Sequence, residues 1–323
     1  GSGYSAPEAE YTARTPHSGP GLMTIFLFVS VVFLWGLTWF AIHLQVGGAP
    51  VDVAIFWRFA LAAATLGTGL ALTGRLRAPP RAILPWLIAL GACLFSCNFL
   101  AIYGAETYLP SGIVSVVFSM ATVLNALNQW LFFRQRPDAR ILAGGIIGVA
   151  GVALMLGIPA THTGDGAPAA WPGLLLALIG TTLFSCGNMI SRRLARFQLG
   201  LVNTVFYGMT AGALLMAVVV RALGHTFTPP LTGAWLGGLL YLSLFGSVAG
   251  FLVYLDLMRR IGADRAAYTT ILSPVIALAV SAVFEGAVWS TGMMAGLGLI
   301  LLGNAIAFIR RRPTPQPAEV EQG

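Results

Sequence analysis

The sequence predicts an all-α integral membrane protein with ten transmembrane helices in two inverted five-helix repeats. Three observations predict it. First, 57% of the 323 residues are hydrophobic and only 9% are charged, against about 25% charged in a soluble domain. So few charges cannot cover a surface that faces water, and the mean hydropathy of +0.82 makes lipid the main solvent. Second, ten long apolar runs are separated by short polar loops. Third, the arginines collect in alternate loops, as a chain that crosses a bilayer back and forth requires.

Residues 1–20 are polar and carry Pro and Gly, so they read as a disordered cytoplasmic N-terminus without a convincing signal peptide. A crossing helix needs about 20 apolar residues for a hydrocarbon core of about 30 Å. The runs 22–44, 51–73, 82–105, 109–133 and 139–157 meet that need, as do 171–191, 200–222, 233–257, 265–285 and 291–309. They do not alternate in hydropathy, so a barrel is excluded, and lipid offers an open backbone no partner. Short loops make successive helices antiparallel neighbours. The boundaries are a first repeat over 21–158, a periplasmic linker over 159–170, a second repeat over 171–310 and a disordered cytoplasmic tail over 311–323.

All 18 basic residues are arginine. One side of the frame receives Arg14, Arg75, Arg77, Arg81, Arg134, Arg136, Arg140, Arg192, Arg193, Arg196, Arg259, Arg260, Arg265 and Arg310 to Arg312, which is 16 of the 18. The other side holds Arg221, and Arg58 lies within a span. The rule that positive residues stay inside puts both termini in the cytoplasm of a bacterial inner membrane. Trp171, Trp235 and Trp289 fall near the predicted outer boundary, and Trp86 and Trp130 near the inner one, as interfacial belts do. The formal charge of +7 is therefore a topology signal and not a nucleic-acid footprint. Cys93, Cys97 and Cys186 lie in apolar runs, where they read as packing residues or, alternatively, as a metal or redox pair; no disulfide framework, cofactor or metal site is expected.

The halves resemble each other at an offset of about 152 residues. Phe99-Leu100 matches Phe251-Leu252, Phe132 matches Phe284, Ala143-Gly144 matches Ala295-Gly296, and Gly151 matches Gly303. Five helices per half make the second copy enter from the opposite side. Inverted repeats are a recurring plan of secondary transporters, with substrate near the midplane. Gly144-xxx-Gly148 and Gly292-xxx-Gly296 suit close helix packing within the chain or, alternatively, a dimer seam. The oligomeric state stays open, with a monomer slightly favoured.

Short motifs then carry a family resemblance. Leu34-Trp35-Gly36, Arg58-Phe59-Ala60-Leu61-Ala62-Ala63, Leu272-Ser273-Pro274-Val275 and Phe284-Glu285-Gly286 resemble the drug/metabolite transporter superfamily, in its EamA-type branch. The first half departs from that pattern, with Phe133-Arg134-Gln135-Arg136 in place of a Gly-Glu turn. The chain is most similar there to the YddG-type aromatic amino-acid exporters. The resemblance implies an inner-membrane exporter of amino acids, aromatic or bulky and apolar. The alternative is a multidrug-type exporter of organic cations.

The candidate cavity residues follow from polarity and spacing. Trp35, Trp39 and His43 form one helical stripe, with Thr38 beside it. Such a stripe stacks an aromatic or cationic substrate, or simply packs. Ser96, Asn98, Ser119, Asn125, Asn128, Ser185, Asn188 and Ser273 are polar groups inside spans, joined by Tyr103, Tyr207 and Tyr254. Polar groups in lipid need partners or water, so each lines a cavity or bonds a neighbouring helix. Arg58 binds a carboxylate, snorkels outward or pairs with Asp52. Pro274 removes a helix hydrogen bond and is either a gating hinge or a static kink. Asp256 is positioned to pair with Arg260, while Asp52, Glu106 and Glu285 lie near outer ends. No carboxylate falls in mid-span, which favours facilitated export over carboxylate–proton coupling and leaves His43 as the proton-relay candidate. The enzyme reading finds no Gly-x-Ser-x-Gly, paired-His or clustered-carboxylate motif. A phosphate-ester exchanger would need several cavity cations, and Arg58 alone qualifies.

Overall fold

The computed structural model describes residues 21–156, 170–261, 266, 268–286 and 290–308. The predicted termini, most of the 159–170 linker, Arg14, Arg265, Arg310 to Arg312 and Trp289 lie outside the described residues. Every regular element among the described residues is helical. The order is α1 (Leu22–His43), α2 (Val51–Leu72), α3 (Leu84–Phe95), α4 (Cys97–Glu106), α5 (Ser111–Phe118), α6 (Ala121–Phe133) and α7 (Ala139–Leu156). Then come α8 (Trp171–Leu194), α9 (Leu201–Ala222), α10 (Gly233–Leu240), a π-helical segment (Tyr241–Ala249) and α11 (Gly250–Ile261). The chain closes with α12 (Thr269–Phe284) and α13 (Thr291–Phe308).

Seven helical stretches are long and apolar enough to cross a membrane: Leu22–His43, Val51–Leu72, Arg81–Glu106, Ser111–Phe133, Trp171–Leu194, Leu201–Ala222 and Gly233–Tyr254. Three shorter apolar helices, Ala139–Met155, Leu272–Phe284 and Thr291–Ala307, occupy the positions of the expected fifth, ninth and tenth spans. Each of the three borders residues outside the description. Large apolar side chains such as Phe26, Phe33, Leu131, Ile146, Leu214 and Val218 are exposed along these helices. In water that would be a liability; in a bilayer it is the solvated face.

Three of the seven stretches are interrupted. The third breaks at Ser96, whose φ of −143° and ψ of −74° leave the helical region. Its hydroxyl donates to the carbonyls of Gly91 at 2.9 Å and Ala92 at 3.1 Å, absorbing acceptors that the break frees. The fourth breaks between α5 and α6, where the Ser119 hydroxyl accepts from Asn304 Nδ2 at 2.6 Å. The seventh, Gly233–Tyr254, contains the π segment. Broken helices are tolerated at membrane depth where protein or a cavity surrounds them.

The halves interleave. α2 and α3 pack on α9, α4 packs on α8, and α1 and α5 pack on α12. The closest seam joins α7 to α13. A Cβ on Gly144 would collide with the Gly303 carbonyl, and one on Gly151 would lie 2.6 Å from the Gly296 carbonyl. The small residues therefore pack within the chain, backbone against backbone. Arg134 ends α6 at a φ of +58°, the left-handed position where glycine is usual.

Two expectations give way. Trp235 is 1% exposed and packs against Gly48, so it is a core residue and not part of an interfacial belt. Asp52 does not pair with Arg58. It faces His225, whose Nδ1 lies 2.9 Å from Oδ2, a link between the start of α2 and the loop after α9. Asp256 does pair with Arg260, at 3.1 Å.

Candidate substrate cavity

A cavity of about 2000 Å³ runs through the bundle. Its walls come from both halves, because α1, α2, α4 and α6 meet α8, α11, α12 and the π segment around it. Aromatic rings dominate it: Trp35 and Trp39 from α1, Phe59 from α2, Phe95 and Phe99 from α3 and α4, Phe118 and Phe184, and Phe251 and Tyr254 from α11. The rings hold one another. Trp35 lies 4.9 Å from Tyr254 by centroids, Trp39 meets Phe118 edge-on at 5.2 Å, and Phe118 lies 4.8 Å from Phe184. Aromatic pairs at such distances add to the burial they share, which keeps the walls in place without a ligand.

The lining reaches the Arg-rich end, at Gln129, Asp138, Arg192, Gly200 and Tyr268. Towards the other end it stops at Ile42, Arg58 and Ile102. Beyond that floor the packing is closed. The Tyr103 hydroxyl donates to Gln45 Oε1 at 2.9 Å, joining α4 to the loop after α1. The Glu285 carboxylate accepts from the Ser111 backbone N–H at 2.9 Å, from the Ser111 hydroxyl, and from the Ser281 hydroxyl at 3.1 Å. An acidic group at the α5 N-terminus also meets the positive end of that helix. His43 Nδ1 stands 3.9 Å from the same carboxylate. The molecule is thus open at one end and latched at the other.

Among the described residues, Arg58 is the one buried arginine, and it lines this space. It is 5% exposed. Its guanidinium stacks 4.3 Å from the Phe99 ring centroid and 5.1 Å from that of Phe59. Nε donates to the Ser247 hydroxyl on the π segment at 3.5 Å, while Nη1 has no hydrogen-bond partner. A buried guanidinium with an unused donor is a ready anion site. Gly246 and Gly250 let the π segment approach: a Cβ on them would lie 2.6 Å from Thr38 and 2.7 Å from Trp35.

The predicted site residues divide into two groups. Trp35, Thr38, Trp39, Ser119, Asn125, Asn188, Tyr254, Ser273 and Pro274 line the cavity with Arg58. The others are placed elsewhere. His43 is at the latched end, stacked on Phe40. Ser96 serves the helix break. Asn98 is buried behind the wall with neither amide atom bonded. Tyr103 is in the floor. Asn128 donates to the Ser185 hydroxyl at 2.8 Å, one rung of a polar ladder between α6 and α8. Asn188 to Asn125 at 3.2 Å and Arg192 to Gln129 at 3.0 Å are its other rungs. Tyr207 donates to the Arg77 carbonyl at 3.1 Å and, with Asn203, clamps the loop after α2. Ser247, Phe59 and Phe99 are cavity residues that the sequence does not mark as such. Phe59 stands in a family motif and Phe99 in a repeat match, but apolar aromatics and a lone serine look alike in any span.

Comparisons with known proteins complete the picture. A model of the EamA-like transporter family matches residues 22–157 and again 171–309. Protein PagO of Salmonella typhimurium is 26% identical over 88% of this chain and 92% of its own length. The inner membrane transporter YedA of Escherichia coli K12, itself uncharacterised, is 27% identical over 87% of this chain and 89% of its own. A probable amino-acid metabolite efflux pump of Salmonella typhimurium is 24% identical over 89% and 96%. A solved crystal structure superimposes with a TM-score of 0.60 at 21% identity, covering 88% of this chain and 96% of that one, and shows the same fold. With the family signature present twice across a helical bundle and its cavity, the chain belongs to the EamA-like transporter family, as a multi-pass membrane transporter of small molecules.

Proposed function

We propose that the protein exports amino acids with aromatic or bulky apolar side chains across the bacterial inner membrane. Buried Arg58 carries this reading. It lies on the cavity wall among rings, and its buried Nη1 has no hydrogen-bond partner. Arginine receives the substrate carboxylate, and the aromatic walls stack its side chain. Asn125 and Asn188 offer amide oxygens towards the ammonium. An organic dication would meet Arg58 as a like charge, which weighs against the multidrug reading.

In this proposal the three shorter helices complete ten spans, and the halves over 21–158 and 171–310 are inverted repeats. Both termini and the Arg-rich end lie in the cytoplasm. The open end then faces the cytoplasm, where an exporter loads. Alternating access follows if the latch around Glu285 opens as α6 and α8, joined by their polar ladder, close the mouth together, with Pro274 as a hinge. The substrate gradient supplies the drive.

Counterflow tests it. Proteoliposomes loaded with unlabelled phenylalanine should accumulate labelled phenylalanine at equal pH and zero voltage. Tryptophan and threonine should compete and methyl viologen should not. Uptake of methyl viologen with none of phenylalanine would overturn the amino-acid reading.

A further inference from the structure

Among the described residues, one buried acid is left without a role. Glu106 closes α4, is 4% exposed, and neither carboxylate oxygen has a hydrogen-bond partner. It stands four residues beyond Ile102, which lines the cavity floor, and so continues the same helix face. Glu106 therefore sits between the cavity and the latched end. A carboxylate stripped of water and of hydrogen bonds is costly unless a proton or an opposite charge neutralises it. Glu285 differs sharply, since its carboxylate is held by Ser111 and Ser281.

The charges that face Glu106 are few. Glu285 after α12 repels it and, less strongly, Arg58 on α2 attracts it. Tyr103 on its own helix is the remaining titratable neighbour of Arg58. His43 on α1 reaches this group only across Glu285. α5 has no ionisable side chain, and those of α8, Cys186, Arg192 and Arg193, lie in its Arg-rich half.

We propose that Glu106 is a proton site coupled to the substrate through Arg58. This rests on the reading of Arg58 as the carboxylate anchor. One guanidinium serves two anions, the Glu106 carboxylate and the substrate carboxylate. When the substrate takes Arg58, an ionised Glu106 loses its compensating charge and binds a proton. Linkage is reciprocal, so protonating Glu106 frees Arg58 and tightens substrate binding. The sign follows: affinity rises as pH falls, by at most about tenfold per pH unit for one linked proton. The balance needs no co-reactant beyond water.

The test is equilibrium binding of labelled phenylalanine to purified protein from pH 5.5 to 8.5, with proton uptake on substrate addition read by an indicator dye in weak buffer. The wild type should bind more tightly at low pH and take up close to one proton per substrate. Glu106→Gln should bind at pH 8.5 as tightly as the wild type does at low pH, with no pH dependence and no proton uptake. Glu285→Gln should keep the pH dependence. Binding by the wild type that is flat with pH and releases or absorbs no proton overturns the coupling, whatever the variants do. So does a pH dependence that survives in Glu106→Gln or vanishes in His43→Gln. Failure to bind phenylalanine at any pH overturns the amino-acid reading itself, and is thereby distinct from failure of the coupling.

Discussion

Arg58 shows how one residue can be costly and useful together. Burying a guanidinium demands compensation, and here it comes from two ring faces and one hydroxyl and leaves Nη1 free. The two ring centroids are 5.0 Å apart, so both rings flank the guanidinium from one side. A charged hydrogen bond is worth about 1.5–3 kcal/mol, so Arg58→Gln is expected to weaken phenylalanine binding roughly 10- to 100-fold. Arg58→Lys should fall between, because an ammonium keeps the charge and loses the planar fork and ring stacking. Dissociation constants for the two variants against wild type check this. Glu106, four residues past the cavity floor, was read from the sequence as an outer-end residue, since it ends an apolar run. Its burial depends on helices distant in sequence, chief among them α8, which packs on α4, and nothing local in the sequence encodes that. Trp235 went the same way, placed at an interface by its position and drawn into the core by Gly48.

At the scale of elements, the helices themselves were legible because hydropathy reports them directly. Their interruptions were not. Ser96 and Ser119 break two spans, yet serine is common in intact membrane helices and carries no breaking signal. The π segment leaves no mark either, whereas Pro274 announced itself. In the alternating-access proposal Pro274 lets α12 bend. Pro274→Ala is expected to slow phenylalanine exchange several-fold while leaving its dissociation constant near wild type, which stopped-flow uptake and binding together would show. The α7–α13 seam gives a firmer mechanical prediction. Adding a methyl at Gly144 must displace the Gly303 backbone, and overpacking costs roughly 1–3 kcal/mol. Gly144→Ala should lower the Tm in detergent. Gly69→Ala, where nothing lies within 4 Å, should leave it unchanged.

For the whole molecule, the open and latched ends make an accessibility prediction. In a background with Cys93, Cys97 and Cys186 replaced, Asn125→Cys should react with a membrane-impermeant maleimide in inside-out vesicles. Ser111→Cys should be protected from both sides until substrate is cycling. Labelling of Asn125→Cys from the outside alone would reverse the proposed orientation. The membrane class and the family motifs were readable in the chain, whereas the cavity was not, because it is assembled from rings that two interleaved halves contribute separately. The α7–α13 contact has one more consequence. Backbone meets backbone where Gly144 faces Gly303 and Gly151 faces Gly296, with Met155, Ile300 and Ala307 packed beside them, so this seam has little room to slide and is suited to act as an axle. If the halves rock, distances measured across it stay nearly constant through the cycle, and a pair of probes placed there would report silence while the far rim swings.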